Sequence, residues 1–217
     1  MRDGSRVPRS QIRMVAMNVD SINALRQLYA APQPRAVQKQ ISSLDVHCRR
    51  FIELSPFLIL ATSNERHDMD ASPRGGQPGF VKVTASGDLL LPDSPGNNRL
   101  DSIENILSTG KVGLLFLIPG FDETLRVNGT AVLSVSESDV AACASERRAP
   151  KLVVRVSVEA AYLHCAKAFL RSRLWEPDAK VGRTTLPAAG KMISDQTGIA
   201  LAPETREEMV RRYQPDL

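Results

Sequence analysis

Aromatic residues are scarce in this chain, at 5% with Trp175 the single tryptophan, and only three histidines occur. A groove that stacks unpaired bases needs aromatic platforms beside clustered Lys and Arg. The net charge of +4 does not supply such a cluster. Arg2, Arg6, Arg9 and Arg13 against Asp3 place +3 in residues 1–16, which leaves +1 for everything after them. Nucleic acid is therefore not an expected partner. No apolar run approaches the roughly 20 residues of a membrane-spanning helix, so a soluble protein with no membrane partner is expected. Residues 1–16 also lack the apolar core of a secretory signal and are expected to form a disordered leader. Cys48, Cys143 and Cys165 are an odd number at unrelated spacings, which predicts reduced thiols and a cytoplasmic protein.

The signatures of several common chemistries are missing too. There is no G-x-G-x-x-G, no Walker phosphate loop and no G-x-S-x-G elbow, although a triad assembled in space leaves no such trace. His47 and His164 each precede a cysteine. A zinc site needs three or four ligands at workable spacing, and no further Cys or His stands near either pair. Cys48 instead falls on the apolar stripe of its predicted helix. No metal site is expected.

What is present begins with helices. "DSINALRQLYA" (20–30) offers Asp20 or Ser21 as a cap, with Ile22, Leu25, Leu28 and Tyr29 on one face. Val37, Ile41, Leu44, Cys48, Phe51 and Ile52 then predict a second, longer helix. From Pro56 the pattern turns to strands: "FLILATS" (57–63), "MDASPRGG" (69–76), and "GFVKVTASGDLLLPD" (79–93), where "ASGD" supplies turn chemistry for a hairpin. A helix follows from about Asn98. The strands "KVGLLFLI" (111–118), "TLRVNGTAVLSV" (124–135) and "LVVRVSVEAAYL" (152–163) come next, with a helix over 136–147 between the last two. "HCAKAFLRSRLW", a segment around Met192 and "PETREEMVRRY" predict further helices. Strands joined by short turns, with no alternating β-α-β units, predict an antiparallel α+β fold whose six strands close into a small barrel. The expected organisation is two N-terminal helices over 17–55 packed on the barrel, the barrel over 56–175, and a helical extension over 176–217.

Anion recognition is the chemistry the residue pattern supports. "ASPRGG" sets Arg74 at a strand end beside Ser72, followed by two glycines that permit close approach to the backbone. "GNNRLDS" sets Arg99 near a helix N-terminus, where free N–H groups and the helix dipole favour a phosphate. Two arginines from separate segments can grip one phosphate with a bidentate geometry denied to lysine. The competing reading makes both of them surface arginines in salt bridges.

The runs "FLILATS", "DASPRGGQPGFV", "LLLPDSPGNNRLDSIENI", "VGLLFLIPGFDETLRVNGTA" and "HCAKAFLRSRLW" together resemble the FMN-binding split-barrel proteins of the pyridoxamine 5'-phosphate oxidase class. The likeness is greatest to a subgroup of FMN-dependent enzymes without an assigned reaction, and it covers Ser21 to Trp175. It implies a six-stranded antiparallel split β-barrel with peripheral helices that forms a homodimer, with FMN in clefts between the subunits. By the same resemblance Arg74, with Ser72 and Gly75, grips the flavin phosphate. The loop carrying Asn97, Asn98 and Arg99 adds a basic residue, and Ser102 an extra donor. Backbone at Leu91, Pro92 and Asp93 lies beside the isoalloxazine ring, and Lys167, Arg171 and Trp175 match a late segment that reaches the site.

One departure matters. The vitamin B6 oxidases end in an Arg-x-His segment that holds the substrate phosphate, whereas no histidine follows His164 here. Formation of pyridoxal phosphate is therefore not expected. The resemblance implies an FMN-dependent oxidoreductase acting on an unidentified small molecule. Its alternatives are a flavin carrier or sensor, or a deazaflavin- or haem-binding member of the fold. No catalytic acid or base is assigned, and Tyr162, His164 and Lys167 are the titratable groups nearest the late segment.

Overall fold

The structure is a computed structural model that describes residues 18–145 and 148–216; the leader expected at residues 1–16 lies outside them. The chain divides into two compact units, residues 1–38 and 39–217. In the first, α1 (Ile22–Leu28) starts at Ser21, whose side chain accepts from Ala24 N, and α2 (Pro34–Gln38) follows. Neither helix buries a residue.

The long helix expected from Val37 to Ile52 is broken. Ile41 leaves the helical path and pairs with Ala161 through two backbone hydrogen bonds of 3.0 and 2.8 Å. Helix α3 (Val46–Leu54) restarts beyond it, because the Asp45 carboxylate accepts from Cys48 N at 2.7 Å and so caps the first turn. Its apolar face, Cys48, Phe51 and Ile52, enters the core. Burying side chains the size of Phe51 and Ile52 contributes about 1.5–3 kcal/mol each.

The second unit is built on one antiparallel sheet of seven strands in the order β2-β1-β5-β6-β7-β4-β3. The strands are β1 (Phe57–Ser63), β2 (Met69–Gly75), β3 (Lys82–Val83), β4 (Leu89–Pro92), β5 (Lys111–Leu117), β6 (Thr124–Ser134) and β7 (Val153–His164). Seven strands stand where a six-stranded barrel was expected; both arms of the "ASGD" hairpin form, the short first one as β3, through Lys82 with Leu90 and Val83 with Leu89. The sheet curls without closing, so β2 and β3 remain edges and the barrel is split.

Alternation along the strands turns Leu58, Leu60, Val112, Leu114, Phe116, Leu125, Val127, Val154 and Val156 into one core. A bulge between Asn128 and Gly129 accentuates the bend of the long β6–β7 pair. Only glycine fits there, because a Cβ on Gly129 would sit 2.1 Å from Ser157 O.

Helix α4 (Asp101–Thr109) lies across β1 and β2, pinned along one stripe. Ser102 Oγ donates to Asp70, Asn105 Nδ2 donates to Thr62 Oγ1 at 3.0 Å, and Thr109 Oγ1 donates to Ser63 O at 2.9 Å. The remaining helices are α5 (Glu137–Ala142), α6 (Lys167–Ser172), α7 (Ala189–Thr197) and α8 (Arg206–Tyr213), and the last three bury no residue. Helix α5 is shorter than the expected 136–147, whose residues 146–147 lie outside the described ones. No helix of the described residues is long and apolar enough to cross a membrane.

Candidate functional site

Edge strand β2 reverses the usual placement of polar groups. Its partners across β1 are Leu58 for Arg74, Leu60 for Ser72 and Thr62 for Asp70. Residues directly opposite share a face of the sheet, so Asp70, Ser72 and Arg74 all stand on the side that holds the core. An inward polar stripe on an edge strand needs partners from elsewhere, and the curl of the sheet supplies them.

Arg74 Nη1 donates to Asp93 Oδ1 at 3.1 Å, with 19% of each side chain exposed. Asp93 directly follows β4, near the opposite edge, so this pair links the two ends of the open sheet. The pairing satisfies only part of the guanidinium. Arg74 Nε is buried and has no hydrogen-bond partner among the described residues. A buried donor on a charged group is costly to leave unpaired.

The two glycines after Arg74 differ in their surroundings. A Cβ on Gly76 would meet Phe80 Cβ at 2.8 Å, so packing requires glycine there. At Gly75 the nearest atoms would be Pro56 O at 3.4 Å and Phe57 Cδ2 at 3.7 Å, which is ordinary contact.

The loop from Asp93 to α4 brings the second group of candidates. Leu91 is 1% exposed with its side chain in the core, so only backbone remains to face a ligand, and Asp93 N donates to Leu152 O at 3.0 Å. Asn97 Oδ1 accepts from Arg99 N at 3.1 Å, and Asn98 and Leu100 both hold left-handed backbone, with φ of 59° and 61°. Leu100 is the cap of α4 and offers no side-chain acceptor, so the first-turn N–H groups have no side-chain cap. Arg99 is exposed and pairs with Asp101, while Ser102 is 4% exposed and engaged with Asp70. Asp70, which the sequence reading passed over, is signalled by its alternation with Ser72 and Arg74 on one face. The candidates thus comprise two guanidinium groups, Arg74 and Arg99, each already matched to a carboxylate.

The late segment is organised differently. Trp175 Nε1 donates to Phe121 O at 3.0 Å and stacks on Phe169 with ring centroids 5.5 Å apart, tying the end of α6 to the β5–β6 turn. Arg171 Nε donates to Lys167 O at 2.9 Å within α6, and both side chains are exposed. No hydrogen bond joins Lys167, Arg171 or Trp175 to Arg74, Asp93 or Arg99 among the described residues. Nor do the described residues contain a cluster of three or more His, Cys, Asp or Glu able to hold a metal.

This fold and motif set can be placed among known proteins. Residues 44–165, more than half of the chain, match the model of the family described as pyridoxamine 5'-phosphate oxidase. The chain belongs to that family. Similar solved structures include the HupZ protein of Group A Streptococcus, at 15% identity with a TM-score of 0.46 over 55% of this chain and 93% of that one. Another is a conserved hypothetical protein of Mycobacterium tuberculosis, at 14% identity and TM-score 0.42 over 67% and 96%. A third is a Clostridium acetobutylicum protein related to general stress protein 26, at 11% identity and TM-score 0.40 over 55% and 86%. No curated protein matches the chain. The family's matched segment ends at Cys165, so Lys167, Arg171 and Trp175 stand beyond it.

Proposed function

We propose that this member of the pyridoxamine 5'-phosphate oxidase family is a cytoplasmic, homodimeric FMN-dependent oxidoreductase acting on a small molecule, with the flavin between the subunits. The observation that carries this reading is the half-satisfied Arg74 guanidinium, inward on the edge strand with Nε buried and unpaired. A phosphate oxygen is a fitting acceptor for that donor, and Ser72 lies two residues away on the same face. The uncapped N-terminus of α4 adds first-turn N–H groups and the positive end of its dipole. Arg99, exposed and paired with Asp101, would be a second guanidinium for the same anion.

The carboxylates in the neighbourhood fit the reading in a specific way. Asp93, Asp101 and Asp70 accept from Arg74, Arg99 and Ser102, so in this reading carboxylate oxygens stand where an oxyanion's would. A bound phosphate would replace Asp93 and Asp101 as acceptors while Asp70 keeps Ser102 in place. Bound FMN would supply the hydride chemistry; the protein supplies position, charge and exclusion of water.

The test is the visible spectrum of the purified protein, followed by mass spectrometry of the released cofactor. The expected result is a flavin spectrum and the mass of FMN. Colourless protein that fails to take up added FMN overturns the reading, and a released deazaflavin or haem overturns the cofactor. Consumption of NAD(P)H, or rapid reoxidation of reduced protein by an added acceptor, marks an enzyme. A flavin inert to every acceptor marks a carrier or sensor.

A further inference from the structure

Away from Arg74, two cations and a histidine gather around one aromatic ring on the other face of the sheet. Arg126 on β6 and Tyr162 on β7 are cross-strand partners, and Arg126 Nη1 donates to the Tyr162 hydroxyl at 3.1 Å. Leu125 and Val127, on either side of Arg126, are fully buried, so Arg126 and Tyr162 face away from the core. The Arg126 guanidinium carbon lies 5.7 Å from the Tyr162 ring centroid and Lys39 Nζ lies 5.6 Å from it. The His164 ring lies 5.3 Å away. Lys39 is brought there by the Ile41–Ala161 pairing, and its ammonium donates to Leu163 O at 2.5 Å.

No carboxylate answers these charges. Among the described residues neither Lys39 nor Arg126 has an acidic partner within 4.0 Å, whereas Lys111, Arg148 and Arg155 on the same unit all do. His164 Nε2 is buried with no hydrogen-bond partner among the described residues. Burial, and then the charges of Arg126 and Lys39, hold the His164 pKa below its ordinary value. Cation–π contact with Tyr162 offsets some of the repulsion but leaves the net positive charge and the orphaned nitrogen unexplained.

We propose that Lys39, Arg126, Tyr162 and His164 form a second binding site, for the oxyanion group of a small organic molecule, separate from the Arg74 cradle. Lys39 and Arg126 supply the charge, and His164, as the neutral tautomer with its proton on Nε2, is a third donor. Tyr162 presents its ring to the body of the ligand. Leu115 and Ile59 continue the same face from Arg126 along the cross-strand row, a partly exposed apolar floor for the remainder of the molecule. Phosphate and carboxylate share the required chemistry.

The experiment follows the histidine signals of flavin-loaded protein by NMR during titration with inorganic phosphate and, separately, with succinate, against chloride at matched ionic strength. His164→Gln assigns the signal among the three histidines. Binding is expected to move the His164 signal saturably and to raise its titration midpoint. The probe that saturates at lower concentration identifies the preferred oxyanion. Lys39→Ala with Arg126→Ala is expected to weaken binding by about tenfold or more, while Arg74→Ala leaves it in place. A circular dichroism spectrum matching the parent shows that the double variant is folded, and Arg126→Lys provides a milder substitution if it is not. A shift that never saturates, that chloride reproduces, or that disappears with Arg74→Ala overturns the proposal.

Discussion

Arg74 and Asp93 stand nineteen residues apart in sequence and on opposite margins of the open sheet, yet their side chains meet at 3.1 Å. The pair fastens the mouth of the split barrel and occupies the guanidinium proposed for the flavin phosphate. If Asp93 holds the place of a phosphate oxygen, the two ends of this ion pair respond with opposite signs. Arg74→Ala is expected to weaken FMN binding about a hundredfold, on the order of 3 kcal/mol, with Arg74→Lys intermediate. Asp93→Asn removes the competitor and is expected to tighten it about fivefold, roughly 1 kcal/mol. Fluorescence titration with FMN measures both, and weaker binding in Asp93→Asn would identify the pair as a structural clasp alone.

Gly129 is expected to be among the least replaceable positions of the sheet. Alanine there puts a Cβ 2.1 Å from a backbone oxygen of β7, which no side-chain rotation relieves. The β6–β7 pairing must shift, at a cost above about 3 kcal/mol. Urea unfolding of Gly129→Ala checks this, and a midpoint unchanged from the parent would show that the bulge can slide.

Acid should unfasten the other end of the sheet. Arg155 on β7 donates to Asp88 at 2.9 Å and to Asp139 of α5 at 2.8 Å. Hydrogen bonding, from Ser134 first and then Arg155, holds the Asp139 carboxyl below its ordinary pKa. A depressed carboxylate contributes stability above its unfolded pKa, and that contribution is lost as pH falls through the folded one. The loss therefore belongs below about pH 4. Asp139→Asn is expected to be less stable at neutral pH and to show a flatter acid limb when melting is followed against pH. A limb as steep as the parent's would remove Asp139 from its cause.

The three thiols should separate cleanly. Burial pushes Cys48 and Cys143 up to about 11, while Cys165 is exposed at the end of β7. Thiolate is the reactive form. At mildly alkaline pH a thiol reagent is expected to modify Cys165 alone in the native protein, with the other two reacting only on unfolding. Peptide mapping of the labelled protein reports the positions, and early labelling of Cys48 or Cys143 would contradict the burial.

Much of the fold was legible along the chain because strands and helices write their periodicity locally. "FLILATS", "KVGLLFLI" and the long pair "TLRVNGTAVLSV" and "LVVRVSVEAAYL" became β1, β5, β6 and β7. The helix expected across Ile41 failed for a nonlocal reason: its spacing suited a helix, but Ala161, 120 residues later, offered a backbone partner. The helix that "PGNNRLDS" predicts from about Asn98 begins at Asp101, because Asn98 and Leu100 hold left-handed backbone that delays its first turn. Asp70 was marked only by its alternation with Ser72 and Arg74, and Asp93 as a side-chain acceptor had no local signal to separate it from surface acids. Trp175 engages Phe121 and Phe169 through a contact that depends on where the chain returns.

By itself the sequence determined the alternation that makes the strands, the turn and cap residues that end them, and the motifs that carry family membership. All of these follow from interactions between near neighbours. Only the tertiary structure decided that Arg74 faces inward against Asp93 with one donor unspent, and that Lys39 joins Arg126, Tyr162 and His164 without a counter-charge. Both depend on how far the sheet curls and on which strand a distant segment pairs with. Those outcomes come from packing summed over the whole core.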